Sequence, residues 1–197
     1  MATSRLHAES AVGGDGTGDQ LILRRLMTGE DARLQAHVAD LSPASRRSRF
    51  LGGMNALSPA EARRLIGDGM GPVFALAAEI DHPAGDLLVG EAVCAIGADG
   101  VTAEFALSVA DAWQGRGIGR AILAGIVLGS AARGVECLYG EVLRDNHRML
   151  QLAARAGFAC RTHSGDPRLV LIERTVPAAV RLHPRVREDH DGFAHAA

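Results

Sequence analysis

The stretch Trp113-Gln114-Gly115-Arg116-Gly117-Ile118-Gly119-Arg120 decides how this chain is read. It follows an apolar, strand-like run, Thr102 to Val109. It opens a helical pattern that puts Ile118, Ile122, Ile126 and Val127 on one face. Closely spaced glycines let successive backbone N–H groups turn toward one point, and the start of a helix adds partial positive charge there. A strand–loop–helix of this kind is an anion site, most naturally for a pyrophosphate, and Arg116 and Arg120 add charge. The glycines stand at 115, 117 and 119, whereas a dinucleotide fingerprint needs its third glycine at the position of Arg120. The Rossmann reading fails by that one residue. Taken alone, the loop reads equally as a glycine-rich turn that holds nothing.

Working outward, the elements alternate. Leu21 to Arg25 is a short strand. Gly29 to Leu41 carries Leu34, Val38 and Leu41 at helical spacing. Ser42-Pro43 starts a second helix, with serine as cap and proline in its first turn. Ser58-Pro59-Ala60-Glu61 starts a third and adds a capping-box glutamate. Val73 to Ile80, Asp86 to Ile96 and Thr102 to Val109 read as strands joined by turns at Asp81 to Gly85 and Gly97 to Gly100. A long helix over Arg116 to Arg133 ends at Gly134. A strand follows at Glu136 to Leu143, then a helix capped by Asp145 and ended by Gly157. Strands at Phe158 to Arg161 and Leu169 to Thr175 close the pattern. The order predicts one mixed α/β domain over residues 20–176. Residues 1–19 read as a disordered leader and 177–197 as a flexible tail.

Composition sets the limits. The 197 residues suit about one domain plus tails. Basic and acidic residues number 21 and 23, for a net charge of -2, which argues against a nucleic-acid binder. Every basic residue is arginine, so a Walker loop and Schiff-base chemistry on a protein lysine are both excluded. Cys94, Cys137 and Cys160 form no CxxC pair, which predicts neither a zinc site nor a disulfide framework and suits a reducing cytoplasm. Cys137 and Cys160, both in predicted strands, read as small core residues. The opening residues have no apolar signal segment, and no apolar run approaches the ~20 residues that span a membrane. The tail histidines His183, His190 and His195 lack metal-ligand spacing. Trp113 reads as a packing anchor, His147 as a surface residue, and Arg46, Arg47 and Arg49 as a solvated face.

Gln-x-x-Gly-x-Gly, after a strand and at the head of a long helix, resembles motif A of the GNAT N-acetyltransferases. Glu141 to Leu150, running on to Ala156-Gly157-Phe158, resembles their second half. Leu41-Ser-Pro-Ala-Ser-Arg46, Arg49-Phe50 and Ala103-Glu104-Phe105-Ala106 resemble the GNAT domain of bacterial Pat-type protein lysine acetyltransferases. The resemblance covers about residues 20–176. It implies the GNAT fold, a mixed central β-sheet splayed between strands four and five and flanked by helices. It implies acetyl-CoA as co-substrate, with no metal. By position, backbone amides of Gln114, Gly115, Arg116, Gly117, Ile118 and Gly119 would hold the pyrophosphate, with Arg120 at the loop exit. Backbone groups of Leu107, Ser108 and Val109 would flank pantetheine as an added strand, and Asn146 would contact the cofactor arm.

Acyl transfer to an amine needs a neutral amine, while a lysine has pKa ~10.4. Glu104 is the candidate base. The family proposes a glutamate there, and a carboxylate in an apolar strand is either solvated in a cleft or shifted in pKa. The family's general-acid tyrosine falls at Ala153. The single tyrosine, Tyr139, belongs to a strand instead. The acceptor is expected to be a protein lysine, with a small amine as the alternative and a non-catalytic acyl-CoA sensor as the third reading. Gly52-Gly53 and Gly67-Asp68-Gly69 favour a broad acceptor groove. Monomer and homodimer both remain open.

Overall fold

The structure, a computed structural model, describes residues 20–81 and 86–177. The leader 1–19, most of the turn at 82–85 and the tail from 178 lie outside the described residues. The chain runs β1 (Leu21–Leu26), α1 (Asp31–Asp40), α2 (Pro43–Phe50), α3 (Pro59–Ile66), β2 (Val73–Ile80), β3 (Leu87–Ile96), β4 (Thr102–Val109), a 3₁₀ turn (Asp111–Trp113), α4 (Ile118–Ala131), β5 (Cys137–Leu143), α5 (His147–Arg155), β6 (Ala159–Thr162) and β7 (Leu169–Thr175).

One seven-stranded sheet has the order β1-β2-β3-β4-β5-β7-β6. Every pairing is antiparallel except β4 with β5. Strand alternation divides the core in two. Phe74, Cys94, Phe105, Leu138 and Ile172 face α4, from which Ile118, Ile122, Leu123 and Ile126 pack down. On the other face Ala75, Ala77 and Val93 meet Leu34 and Val38 of α1 and Ala62 and Ile66 of α3. Helices α1 to α3 therefore cover the β1–β3 half of that face, with α2 reaching onto the Ser108 end of β4.

Helix ends follow local chemistry with two adjustments. Ser42 and Ser58 cap α2 and α3 as expected, and Ser58 with Glu61 completes the capping box. Asn146, not Asp145, caps α5: its side chain accepts from Met149 N at 3.1 Å. Asp145 instead reaches out to Arg47 at 3.0 Å. The long helix starts at Ile118, two residues late, because Gly117 has φ 84°, which no helix continues through. It ends at Ala131 rather than Arg133, and β6 begins one residue later than expected.

β4 and β5 pair only over Thr102↔Cys137, Ala103↔Leu138 and Glu104↔Tyr139, and then part. β4 stays paired to β3 up to Val109, and β5 to β7 up to Leu143. A wedge therefore opens in the sheet after Glu104, toward the strand end that carries the glycine loop. Gly140 sits where it opens: a Cβ there would lie 2.9 Å from the Phe105 carbonyl oxygen, so only glycine lets the strands run so close before they diverge.

Candidate active site

The glycine loop leaves β4 at the mouth of this wedge. Gly115 and Gly117 have φ of 81° and 84°, a region glycine enters without penalty, and the chain folds tightly into α4. Gly119 has an ordinary backbone; a Cβ there would meet Leu152 Cδ2 at 3.2 Å, so its role is to let α5 approach α4. Gly117 supplies no side-chain cap, unlike Ser42, Ser58 and Asn146 at their helices. Arg120 N is turned back to Gly117 O at 3.0 Å, so the N–H groups of Ile118 and Gly119 are the ones that no side-chain cap takes up at the head of α4. Arg116 stacks over Trp113 at 4.7 Å, and Trp113 packs against the core, as its reading as an anchor expects.

Gln114 is a structural hub. Its Nε2 donates to Val109 O at 3.1 Å and to Ser45 Oγ at 3.3 Å, while its Oε1 accepts from Arg148 at 2.7 Å. One side chain thereby joins β4, α2 and α5 around the loop. Asp111 ties α2 to the same place, accepting from Ser42 N, Ser42 Oγ and Ser45 Oγ at 2.8 to 2.9 Å. Partial burial pushes its carboxyl up, but those bonds outweigh it and hold the pKa below the usual range.

Glu104 occupies the last paired rung before the wedge and is exposed, so the solvated reading applies. Its partner across the rung is Tyr139, the single tyrosine. Burial and the Glu104 and Glu141 carboxylates push the Tyr139 phenol up, which keeps it protonated at neutral pH. Both stand on the sheet face that α1 to α3 leave uncovered at β5 and beyond, where Glu141 bonds His163 at 3.1 Å and Glu173 pairs with Arg161.

Leu107 and Val109 turn their side chains into the α4 core, while Ser108 turns away and is buried. Its hydroxyl donates to Glu91 Oε1 at 2.7 Å and lies 2.9 Å from His37 Nε2. With the hydroxyl proton committed to Glu91, His37 is the donor. Arg49 completes the cluster on Glu91 at 2.7 and 3.2 Å. The side chains of Arg49 and Glu91 are only 6% and 1% exposed. Reading Arg49 as part of a solvated face is therefore wrong: the last turn of α2 aims it into the sheet. Complete burial pushes Glu91 up, but the charge and hydrogen bonds of Arg49, with the Ser108 hydroxyl, hold it below its ordinary value. Burial lowers the pKa of His37 and keeps the ring neutral. Sequence reasoning missed this network, though a glutamate heading the apolar run of β3 was a visible signal.

Among the other candidates, Arg120 is exposed on α4 and His147 is exposed on α5. The Asn146 oxygen is spent on its cap. Ala153 is fully buried in the α4-side core, so that position presents nothing to the wedge. Cys94 is buried and its thiol pushed up to about 11, and burial also raises Cys137, so neither is a ready thiolate. Cys160 is exposed, against the expectation of a core residue, because its short edge strand β6 has every residue exposed. Gly67 and Asp68 line an open groove of about 520 Å³ with Arg63, Arg64 and Val73. It sits at the opposite end of the strands from the glycine loop, so these residues do not widen an acceptor groove at the wedge. Among the described residues no group of three His, Cys, Asp or Glu side chains could hold a metal, and no helix is long and apolar enough to cross a membrane.

The parallel β4–β5 rung, the wedge beyond it and an uncapped glycine loop facing it define an acyl-CoA-type transferase site. Residues 49–158 match the model of the acetyltransferase (GNAT) family. The chain belongs to that family and is an N-acetyltransferase that uses acetyl-CoA as co-substrate. The GNAT domain of S. lividans PAT is 26% identical, with a TM-score of 0.70 over 79% of this chain and 90% of that one. Spermidine N-acetyltransferase from Vibrio cholerae, solved with CoA and spermine, shares the fold at 20% identity and a TM-score of 0.63, covering 80% and 96%. A cAMP-binding acyltransferase from Mycobacterium smegmatis aligns at 23% identity and 0.54, over 83% of this chain and 47% of that one. No curated protein matches.

Proposed function

We propose that this enzyme acetylates protein lysines by direct attack in a ternary complex, with Glu104 as general base. The observation that carries the reading is the place of Glu104: an exposed carboxylate on the last β4–β5 rung, at the opening of the wedge, on the uncovered face. The resemblance of Leu41 to Arg46 and Ala103 to Ala106 to Pat-type protein lysine acetyltransferases supports protein lysine over a small amine, and the 26% identity to the S. lividans PAT domain agrees with that resemblance. The pyrophosphate is assigned to the N–H groups of Gln114 to Gly119, with Arg120 at the exit. Pantetheine is assigned to the unpaired edge of Leu107 to Val109, and the cofactor arm to Asn146.

The chemistry follows from those places. Glu104 takes a proton from the incoming ammonium, directly or through one water. The free amine attacks the thioester carbonyl, a β4 N–H in the wedge donates to the oxyanion, and the C–S bond breaks. The second amine proton leaves with collapse and the thiolate is protonated from water, so the balance is one amide, one thiol and one released proton. Holding amine and thioester together supplies the rest. Tyr139, protonated and adjacent, is the nearest phenol to Glu104.

The test is transfer of radiolabelled acetyl from acetyl-CoA in a desalted bacterial lysate, with the products divided by size. Label on protein lysines is expected. Label confined to small molecules, with spermidine added back as a probe, would overturn the protein-lysine assignment. Because the enzyme has no lysine, its own band cannot gain lysine-borne label.

A further inference from the structure

We infer that Glu91 is a positioning residue that sets helix α2, the wall beside the wedge, against the cofactor strand β4. The inference rests on the assignment of Leu107 to Val109 to the cofactor side. No residue of helix α2 is fully buried, and Phe50 at its end is the partly buried side chain that packs against the α1–α3 core, so packing holds the helix at that end only. Polar contacts hold it along its length, and Arg46 donates back to Ala39 O and Leu41 O at 2.8 and 2.7 Å. Ser42 and Ser45 hold its start to Asp111, and Arg47 holds its middle to Asp145 with both side chains more than half exposed. Arg49 holds its end to Glu91, and among the described residues this is the one buried ion pair of α2.

Glu91 is bonded in two directions at once. Its Oε1 receives Arg49 Nε from α2 and Ser108 Oγ from β4, both at 2.7 Å, and Oε2 receives Arg49 Nη2 at 3.2 Å. A two-point guanidinium–carboxylate contact fixes angle as well as distance. His37 bonds the same serine from α1, and Arg49 also lies 4.9 Å above the Phe50 ring. The carboxylate is thus the common reference for α1, α2 and β4. It does not reach the wedge itself, so it acts through the wall it places. An acceptor must fit between that wall and Glu104, whereas the glycine loop that takes the pyrophosphate is held by Gln114 to Val109 and Arg148 at 3.1 and 2.7 Å, shorter than its 3.3 Å bond to Ser45 at the start of α2.

The experiment compares wild type, Glu91→Gln, and the double variant Arg49→Met with Glu91→Met. Methionines at both positions restore an apolar, folded interior without the two-point bond. Amide hydrogen exchange is read over residues 43–50 and over β3 and α4. Dissociation constants are measured for CoA, and the acceptor KM is measured with a pooled lysine-peptide mixture and with spermidine. The expected result is at least tenfold faster exchange in α2 in both variants, unchanged exchange in β3 and α4 of the double variant, a CoA constant within twofold, and an acceptor KM raised about tenfold. Wild-type exchange in α2 of the double variant, or a wild-type acceptor KM there, would show that the pair only stabilises the fold and would overturn the inference. The exchange arm needs no acceptor. It is also independent of Glu104, whose Gln variant lowers kcat and leaves α2 exchange alone.

Discussion

The two halves of one sheet face treat their glutamates in opposite ways. On the β1–β3 side Glu79 and Glu91 are each 1% exposed, under helices, and clasped by arginines. Glu79 takes Arg24 through two bonds at 2.7 Å and Arg33 at 2.7 Å, and Glu91 takes Arg49. On the β4 side Glu104 is exposed and makes no ion pair among the described residues. A buried carboxylate needs a partner, and once clasped by guanidinium groups its lone pairs are taken up and helices keep substrate away. A solvated carboxylate at the edge of a wedge keeps its lone pairs open to an incoming group. The same residue type in three neighbouring strands thus does structural work twice and is left available for chemistry once.

The largest expected contrast is in stability. Glu79→Ala empties a buried site and leaves Arg24 and Arg33 with Glu30 alone, and should cost about 2–3 kcal/mol. Glu104→Ala should stay within about 0.5 kcal/mol. Urea unfolding of both variants checks this, and equal losses would break the comparison. Gly140→Ala comes next, at about 1–3 kcal/mol, because its Cβ must displace the Phe105 carbonyl at the top of the wedge. Thermal melts will show it.

The covered half also predicts a pH dependence. His37 has a folded pKa below its unfolded value of ~6.5. Its contribution is therefore complete above that pH and is lost as pH falls through the window beneath it, with a slope of at most about 1.4 kcal/mol per unit. His37→Gln should flatten that slope. Glu30, held at about 2 mainly by its bond to Arg24, contributes above the ordinary carboxylate range and loses that contribution only as pH drops from about 4.5 toward 2. The smallest effect belongs to the exposed Arg47–Asp145 pair: Asp145→Ala should cost about 0–1 kcal/mol and less in high salt.

Most of the fold was legible because its signals are local. Ser-Pro helix starts, the alternating strands and the glycine loop each announce themselves within a few residues, and β2, β4 and β7 fall at the expected bounds. The misses come from tertiary choice. Asp145 and Asn146 are both good caps, and only the position of Arg47 shows why the first is drawn away. Arg49 sits among arginines that look alike in sequence, and nothing local says that one of them turns inward to Glu91. Glu104 was singled out as a carboxylate in an apolar strand, yet Glu79 and Glu91 share that description. What distinguishes the three is helix cover and a partner arginine, and neither is written in the strand itself.

The most direct test of this division sets Glu104→Gln beside wild type, with CoA affinity measured by calorimetry and acetyl transfer to a wild-type-competent acceptor measured across pH 6 to 10. The account predicts unchanged CoA binding and an unchanged melting temperature, with transfer reduced about 10²–10⁴-fold and recovering toward high pH, where the amine deprotonates unaided. Wild-type turnover by the Gln variant near neutral pH would contradict it.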